Sequence, residues 1–266
     1  MFDYINDLPL AQLVTTVCLT FVAITWFGAI FIRPFFRLLV RTQPELNNLI
    51  GSFVSMYGMF YGILMGLLAV AAYQNTVDVE EAVVREGTAL AAFFRSVTAY
   101  PETVRQPFQE SIRDYTQFVI NVEWPEMRKG NVFTGGRVPI SRMQKHLNDF
   151  EPATPGQTIL HTEATKQFYR VTELAAERVY SARTGIPGIM WYVVILGAFV
   201  SIFLTWMLNM SLVAHLFLGS VLSFFIGTMV SLIIALGSPL RGAYGVDPDA
   251  FQVLLQYYIN LGLPPG

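Results

Sequence analysis

A chain of 266 residues that is 53% hydrophobic and only 14% charged is too apolar for an ordinary soluble domain and belongs in a membrane. Its formal net charge of −2, with no cluster of Lys and Arg, argues against a nucleic-acid partner. The single cysteine, Cys18, lies in an apolar run and can build neither a disulfide framework nor a cysteine metal site within one chain.

The N-terminus, MFDYINDLPL, has acids where a signal peptide has bases, and the apolar run behind it exceeds a signal h-region, so it reads as a retained span. That first span covers residues 8–32, with Asp7 as N-cap, Pro9 tolerated in the first turn and Arg33-Pro34 stopping it. The connection over 33–45 sets Arg33, Arg37 and Arg41 among Phe35, Phe36, Leu38 and Leu39. This pattern predicts a basic interfacial segment whose arginines snorkel to headgroups.

The second span, residues 47–74, carries no charge and is long enough to cross a hydrocarbon core of about 30 Å as a helix. Within it Gly51, Ser55, Gly58, Gly62, Gly66 and Ala69 recur at spacings of three and four, while Phe53, Met56, Phe60, Ile63, Leu64, Leu67 and Leu68 cover the remainder. A stripe of small residues lets another backbone approach closely. It equally presents low-relief backbone to a water-filled path.

From residue 75 to 183 the chain turns polar and holds nearly all of its acids and bases. A helix is predicted over 76–97, with Glu81 and Arg85 ordered for an (i, i+4) pair, and another over 102–122 that ends at Glu123-Trp124-Pro125. A turn-rich stretch at 129–138 precedes a short helix at 141–149 and a long one at 158–183. No β-alternation and no repeat of fixed period is present, so this domain is all α.

Residues 184–240 are again free of formal charge, and Asn209-Met210-Ser211 divides them into spans at 187–208 and 212–236. The third span aligns Gly197, Ser201, Thr205 and Asn209, and the fourth aligns His215, Gly219, Ser223, Gly227, Ser231 and Ala235. Three spans therefore carry small or small-polar stripes, which suits a tight bundle or a polar lining shared around an axis. In the tail, residues 248–261 predict a short amphipathic helix lying on the membrane or on the polar domain. The segments are thus 1–74, 75–183, 184–240 and 241–266.

Arginines counted over short loops place the connection between the first two spans inside the cytoplasm and the polar domain outside, although Arg85, Arg178 and Arg183 nearly even the count. No nucleophile with its base, metal cluster or phosphate cradle stands at a recognisable spacing, so an enzyme has no supporting constellation and no cofactor is implied. His161 with Glu163 reads as solvated helix surface. Asp78, Glu80, Glu81 and Glu86 could focus cations at a vestibule or form a solvated helix start. His215 is the titratable group at or near membrane depth.

Tyr57-Gly58, Tyr61-Gly62 and Tyr73 in the second span, Glu81-Ala82 through Leu90 and Arg95, Tyr115 with Glu123-Trp124-Pro125, and Ser238-Pro239-Leu240-Arg241-Gly242 with Val246, Pro248 and Phe251 together resemble a bacterial membrane family of unknown function described as bestrophin-like. Bestrophins are oligomeric anion channels with four spans per subunit, a helical region between the second and third, and a pore lined by the second. The resemblance implies a pore faced by Gly51, Ser55, Gly58, Tyr61, Gly62, Gly66 and Tyr73, in a multi-pass protein of the bacterial inner membrane. Two departures stand out. The tail offers only Asp247 and Asp249 where bestrophins have an acidic calcium-binding run, and bestrophins keep the helical domain in the cytoplasm, against the arginine count.

The expectation is an all-α membrane protein with four transmembrane helices and an all-helical polar domain inserted between the second and third. It assembles as a homo-oligomer, touches lipid and inorganic ions, and passes ions passively. The alternative is a non-conducting membrane sensor or scaffold whose polar domain binds a partner.

Overall fold

A computed structural model of the chain describes residues 8–40, 44–131, 137–181, 186–241 and 245–256, and every regular element among them is helical. In order these are α1 (Leu10–Phe31), α2 (Arg33–Val40), α3 (Pro44–Thr98), α4 (Glu102–Phe118), a π-helical turn (Val119–Glu123), α5 (Trp124–Arg128), α6 (Arg137–Asp149), α7 (Pro155–Ser181), α8 (Gly188–Trp206), α9 (Leu212–Leu236) and α10 (Asp249–Val253). Four of them, α1, α3, α8 and α9, are long and apolar enough to cross a membrane. The chain divides into two compact units, Met1–Asn75 with Ile186–Ser238 and Thr76–Gly185 with Pro239–Gly266.

In the first unit α9 runs antiparallel to α1. Gly227 stands against Cys18, Gly219 against Thr25, and Arg33, just past α1, donates to the Met210 carbonyl. Lipid is as apolar as leucine, so helices in a bilayer are held by close packing rather than by the hydrophobic effect, and small residues permit that packing. A Cβ added at Gly227 would lie 2.8 Å from Cys18 Cα. Backbone cannot swing aside, so Gly227→Val is expected to part the two helices at a cost of about 1–3 kcal/mol. A lowered thermal midpoint of the purified protein checks this; an unchanged midpoint would mean that the seam is looser than its geometry.

Arg33 does not snorkel. It is buried, because the carbonyl at Met210 offers its guanidinium an acceptor inside the unit. The side chain of Arg37, and Arg41 itself, lie outside the described residues, as does Asp7. α9 begins where expected, with the Ser211 hydroxyl accepting from the Ala214 N–H at 3.2 Å.

Several boundaries differ from the sequence reading. α3 is one helix where two were expected, at 47–74 and 76–97. Neither Gly nor Pro interrupts the join, so nothing in the local sequence stops the helix there. The chain expected to stop at Glu123-Trp124-Pro125 instead widens for one turn. The Trp124 N–H reaches back to the Val119 carbonyl, and Pro125 then falls in the first turn of α5, where no N–H is required of it. Gly130, two residues past the end of α5, has a φ of +82° that a side chain would strain.

α6 starts at Arg137 rather than 141, and α7 at Pro155 rather than 158. The earlier start of α7 has a reciprocal cap: the Thr154 hydroxyl accepts from Gln157 N–H at 3.2 Å, and the Gln157 side chain accepts from Ala153 N–H at 2.8 Å. Most of the turn-rich stretch, residues 132–136, is outside the described residues, and so is the tail from 257 onward; within the tail, regular α-helix covers Asp249–Val253.

The second unit is built on an aromatic core in which Phe93 meets Phe108 edge-on at 6.3 Å and Phe168 at 5.9 Å. Phe251 and Leu254 of the tail are buried in that core. Arg85 pairs with Glu177 on α7 at 3.3 Å, a partner that spacing along α3 did not suggest. His161 is also no solvated surface residue: it packs on Phe150 and its Nδ1 meets the Tyr100 hydroxyl at 2.8 Å. Burial pushes the Tyr100 phenol up to about 12.

Candidate functional site

The small-residue stripes have different fates. On α8, Gly197 lies under the ring of Tyr61, and its carbonyl accepts from the Tyr57 hydroxyl at 3.1 Å. On α9, Gly219 and Gly227 lie against α1, Ser223 meets Thr25, and His215 is fully buried. Both stripes are consumed in packing the first unit. The α3 stripe is not: nothing lies within 4 Å of a Cβ added at Gly51, Gly58, Gly62 or Gly66.

A helix turns about 100° per residue, so neighbours in sequence face different ways. Tyr61, one residue before Gly62, is buried and donates its hydroxyl to the Val194 carbonyl at 2.9 Å. It stands on the face that joins α3 to α8, stacked along Tyr57. Gly58, Gly66, Ser55 and Tyr73 are exposed, and Gly51 and Gly62 are partly so. The Ser55 hydroxyl donates to the Gly51 carbonyl at 3.0 Å, which leaves its lone pairs outward. Asp78, Glu80 and Glu81 are all exposed on the part of α3 that belongs to the second unit.

Glu86, the fourth acid of that run, is elsewhere. It is fully buried in the second unit, accepting from Tyr115 Oη on Oε1 at 2.7 Å and from Arg178 Nε on Oε2 at 2.7 Å. Arg178 Nη2 donates to Glu123 Oε2 at 2.9 Å, and its guanidinium lies 5.5 Å from the centre of the Trp124 ring and 5.7 Å from that of Phe251. The π turn takes up an extra residue, and so sets the direction in which Glu123 points.

Burial works against the Arg178 charge, but Glu86, Tyr115 and Glu123 beside it outweigh burial and raise its pKa. Burial, reinforced by the Glu86 charge, holds the Tyr115 phenol well above its usual range. Burial also raises the Glu123 carboxyl, with Arg178 pulling the other way.

Reading the sequence as charges near spans missed this cluster. Helical phase contained the signal: Glu86 shares a face with Val79, Val83, Leu90 and Phe93, and Arg178 with Val171, Leu174 and Ala175, all apolar and all buried. A charge on an apolar face is a buried charge in need of partners.

Among known families, that of the Bestrophin-like domain matches residues 19–251. No curated protein and no solved structure matches the chain. With nearly its whole length covered by that match, and with four helices apolar enough to cross a bilayer, the chain belongs to the Bestrophin-like family of membrane proteins.

Proposed function

We propose that this chain is one subunit of a homo-oligomeric, passive ion channel with a pore lined by α3. In this reading α1, α3, α8 and α9 all cross the bilayer, and the helical domain is inserted between the second and third crossings. The observation that carries it is the unpartnered stripe of Gly51, Gly58, Gly62 and Gly66, set against the stripes of α8 and α9 that the subunit uses up. A smooth face left open in the bilayer meets other copies of α3 around a shared axis, or the water those copies enclose.

Backbone, the Ser55 hydroxyl and the Tyr73 hydroxyl would complete ion hydration there, a weak-field lining that supports modest selectivity. Gly51, Ser55, Gly58, Gly62, Gly66 and Tyr73 are the proposed wall, and Tyr61, bonded to α8, fixes that wall from behind. Asp78, Glu80 and Glu81, exposed together, would raise the local cation concentration at a mouth.

Purified protein of measured oligomeric mass, reconstituted in liposomes, should release ions down a gradient, with chloride, potassium, sodium and calcium tested in parallel. A stable oligomer that passes none of them at varied pH and voltage would move the assignment to a sensor or scaffold.

A further inference from the structure

Glu86, Glu123 and Arg178 put two carboxyl groups and one guanidinium in a site almost closed to solvent. Glu86 is engaged on both oxygens, whereas Glu123 holds Arg178 through Nη2 to Oε2. One guanidinium balances one carboxylate, and a buried acid lacking its own counterion favours its neutral form.

The groups facing Glu123 are Arg178 from α7, Glu86 from α3 and Tyr115 from α4, while Asp249 of α10 is exposed. Among the described residues, Arg128 pairs with Asp247, Lys129 with Glu126, and Arg241 donates to the Lys129 carbonyl. The tail rests on the same cluster. Phe251 lies under the Arg178 guanidinium, the Trp124 indole donates to the Val246 carbonyl at 3.0 Å, and Ala250 packs on Gly87.

We propose that Glu123 is a proton-bearing clasp: with its proton bound it closes the cluster and holds the tail at 245–256 onto the second unit, and on giving that proton to water it loosens the tail. The direction of pH dependence follows from burial, which raises the Glu123 carboxyl above the ordinary glutamate value. Below that ordinary value the folded and unfolded chains both hold the proton, and the contribution is complete. Between it and the folded value only the folded chain holds the proton, so the closed state loses up to about tenfold in its equilibrium constant per pH unit. Above the folded value the loss is complete.

Amide hydrogen exchange of the full-length protein, compared with Glu123→Gln at each pH from 5 to 8.5, tests this. Glutamine keeps the shape and cannot ionise. The two proteins should protect residues 119–131 and 245–256 alike at the acid end. With rising pH the wild type should exchange progressively faster than the variant, and the gap should stop widening once Glu123 has lost its proton. Equal protection at every pH would overturn the proposal. So would a Glu123→Gln protein that is less protected throughout or does not fold, because either result would mean that the cluster needs the charge rather than the proton.

Discussion

Gly62→Trp should fold, assemble with the wild-type mass and pass no ion. Because nothing beyond its own stretch of helix lies within 4 Å of a Cβ at Gly62, the chain itself has room for the new side chain. The indole then enters whatever space the stripe faces. In a pore lined by several copies of α3, each copy contributes one indole at the same level, enough to close a path a few ångströms wide. Liposome flux should drop to background, with Gly62→Ala retaining most of the flux and Gly62→Val an intermediate amount. The graded series separates plugging from misfolding, since Gly227→Val clashes inside the subunit and should fail by losing stability. Unchanged flux in Gly62→Trp would remove α3 as the pore wall.

Arg178→Met should show the largest loss of stability. Methionine fills much of the volume of arginine but leaves Glu86 and Glu123 facing each other in a buried site without a cation. Breaking a buried pair by deleting one partner costs about 3–5 kcal/mol, because the remaining charge stays uncompensated. That is a large share of the 5–15 kcal/mol or so that keeps a domain folded. The expected readouts are a much lower thermal midpoint and a loss of protection over residues 245–256.

Adding Glu86→Gln to Arg178→Met removes the stranded carboxylate and should recover much of the loss. Such partial recovery is the signature of an electrostatic cause, since the cation–π contacts to Trp124 and Phe251 stay absent. An Arg178→Met protein within about 1 kcal/mol of wild type would mean that water reaches the cluster and screens it.

Sequence alone determined the helical class, because local periodicity and apolar length suffice to mark amphipathic and membrane-length helices. It located all four long apolar helices, and the Ser211 start of α9 was legible from its capping chemistry. The sequence also showed three small-residue stripes at helical spacing, but could not say which of them a neighbour would cover. Covering depends on which helices meet, and only the tertiary structure puts α9 on α1 and Tyr61 over Gly197 while leaving Gly62 open. Tyr61 and Gly62, adjacent in sequence, face different ways because one face of α3 is spent on α8.

The buried cluster was the least legible. Glu86, Glu123 and Arg178 lie far apart along the chain, and a charged residue read locally looks solvated. Their meeting depends on three helices and a π turn packing around one core, where burial forces charges to find one another. Local pattern fixes what each segment is; long-range contact decides which faces are used, and with them which residues are left to act.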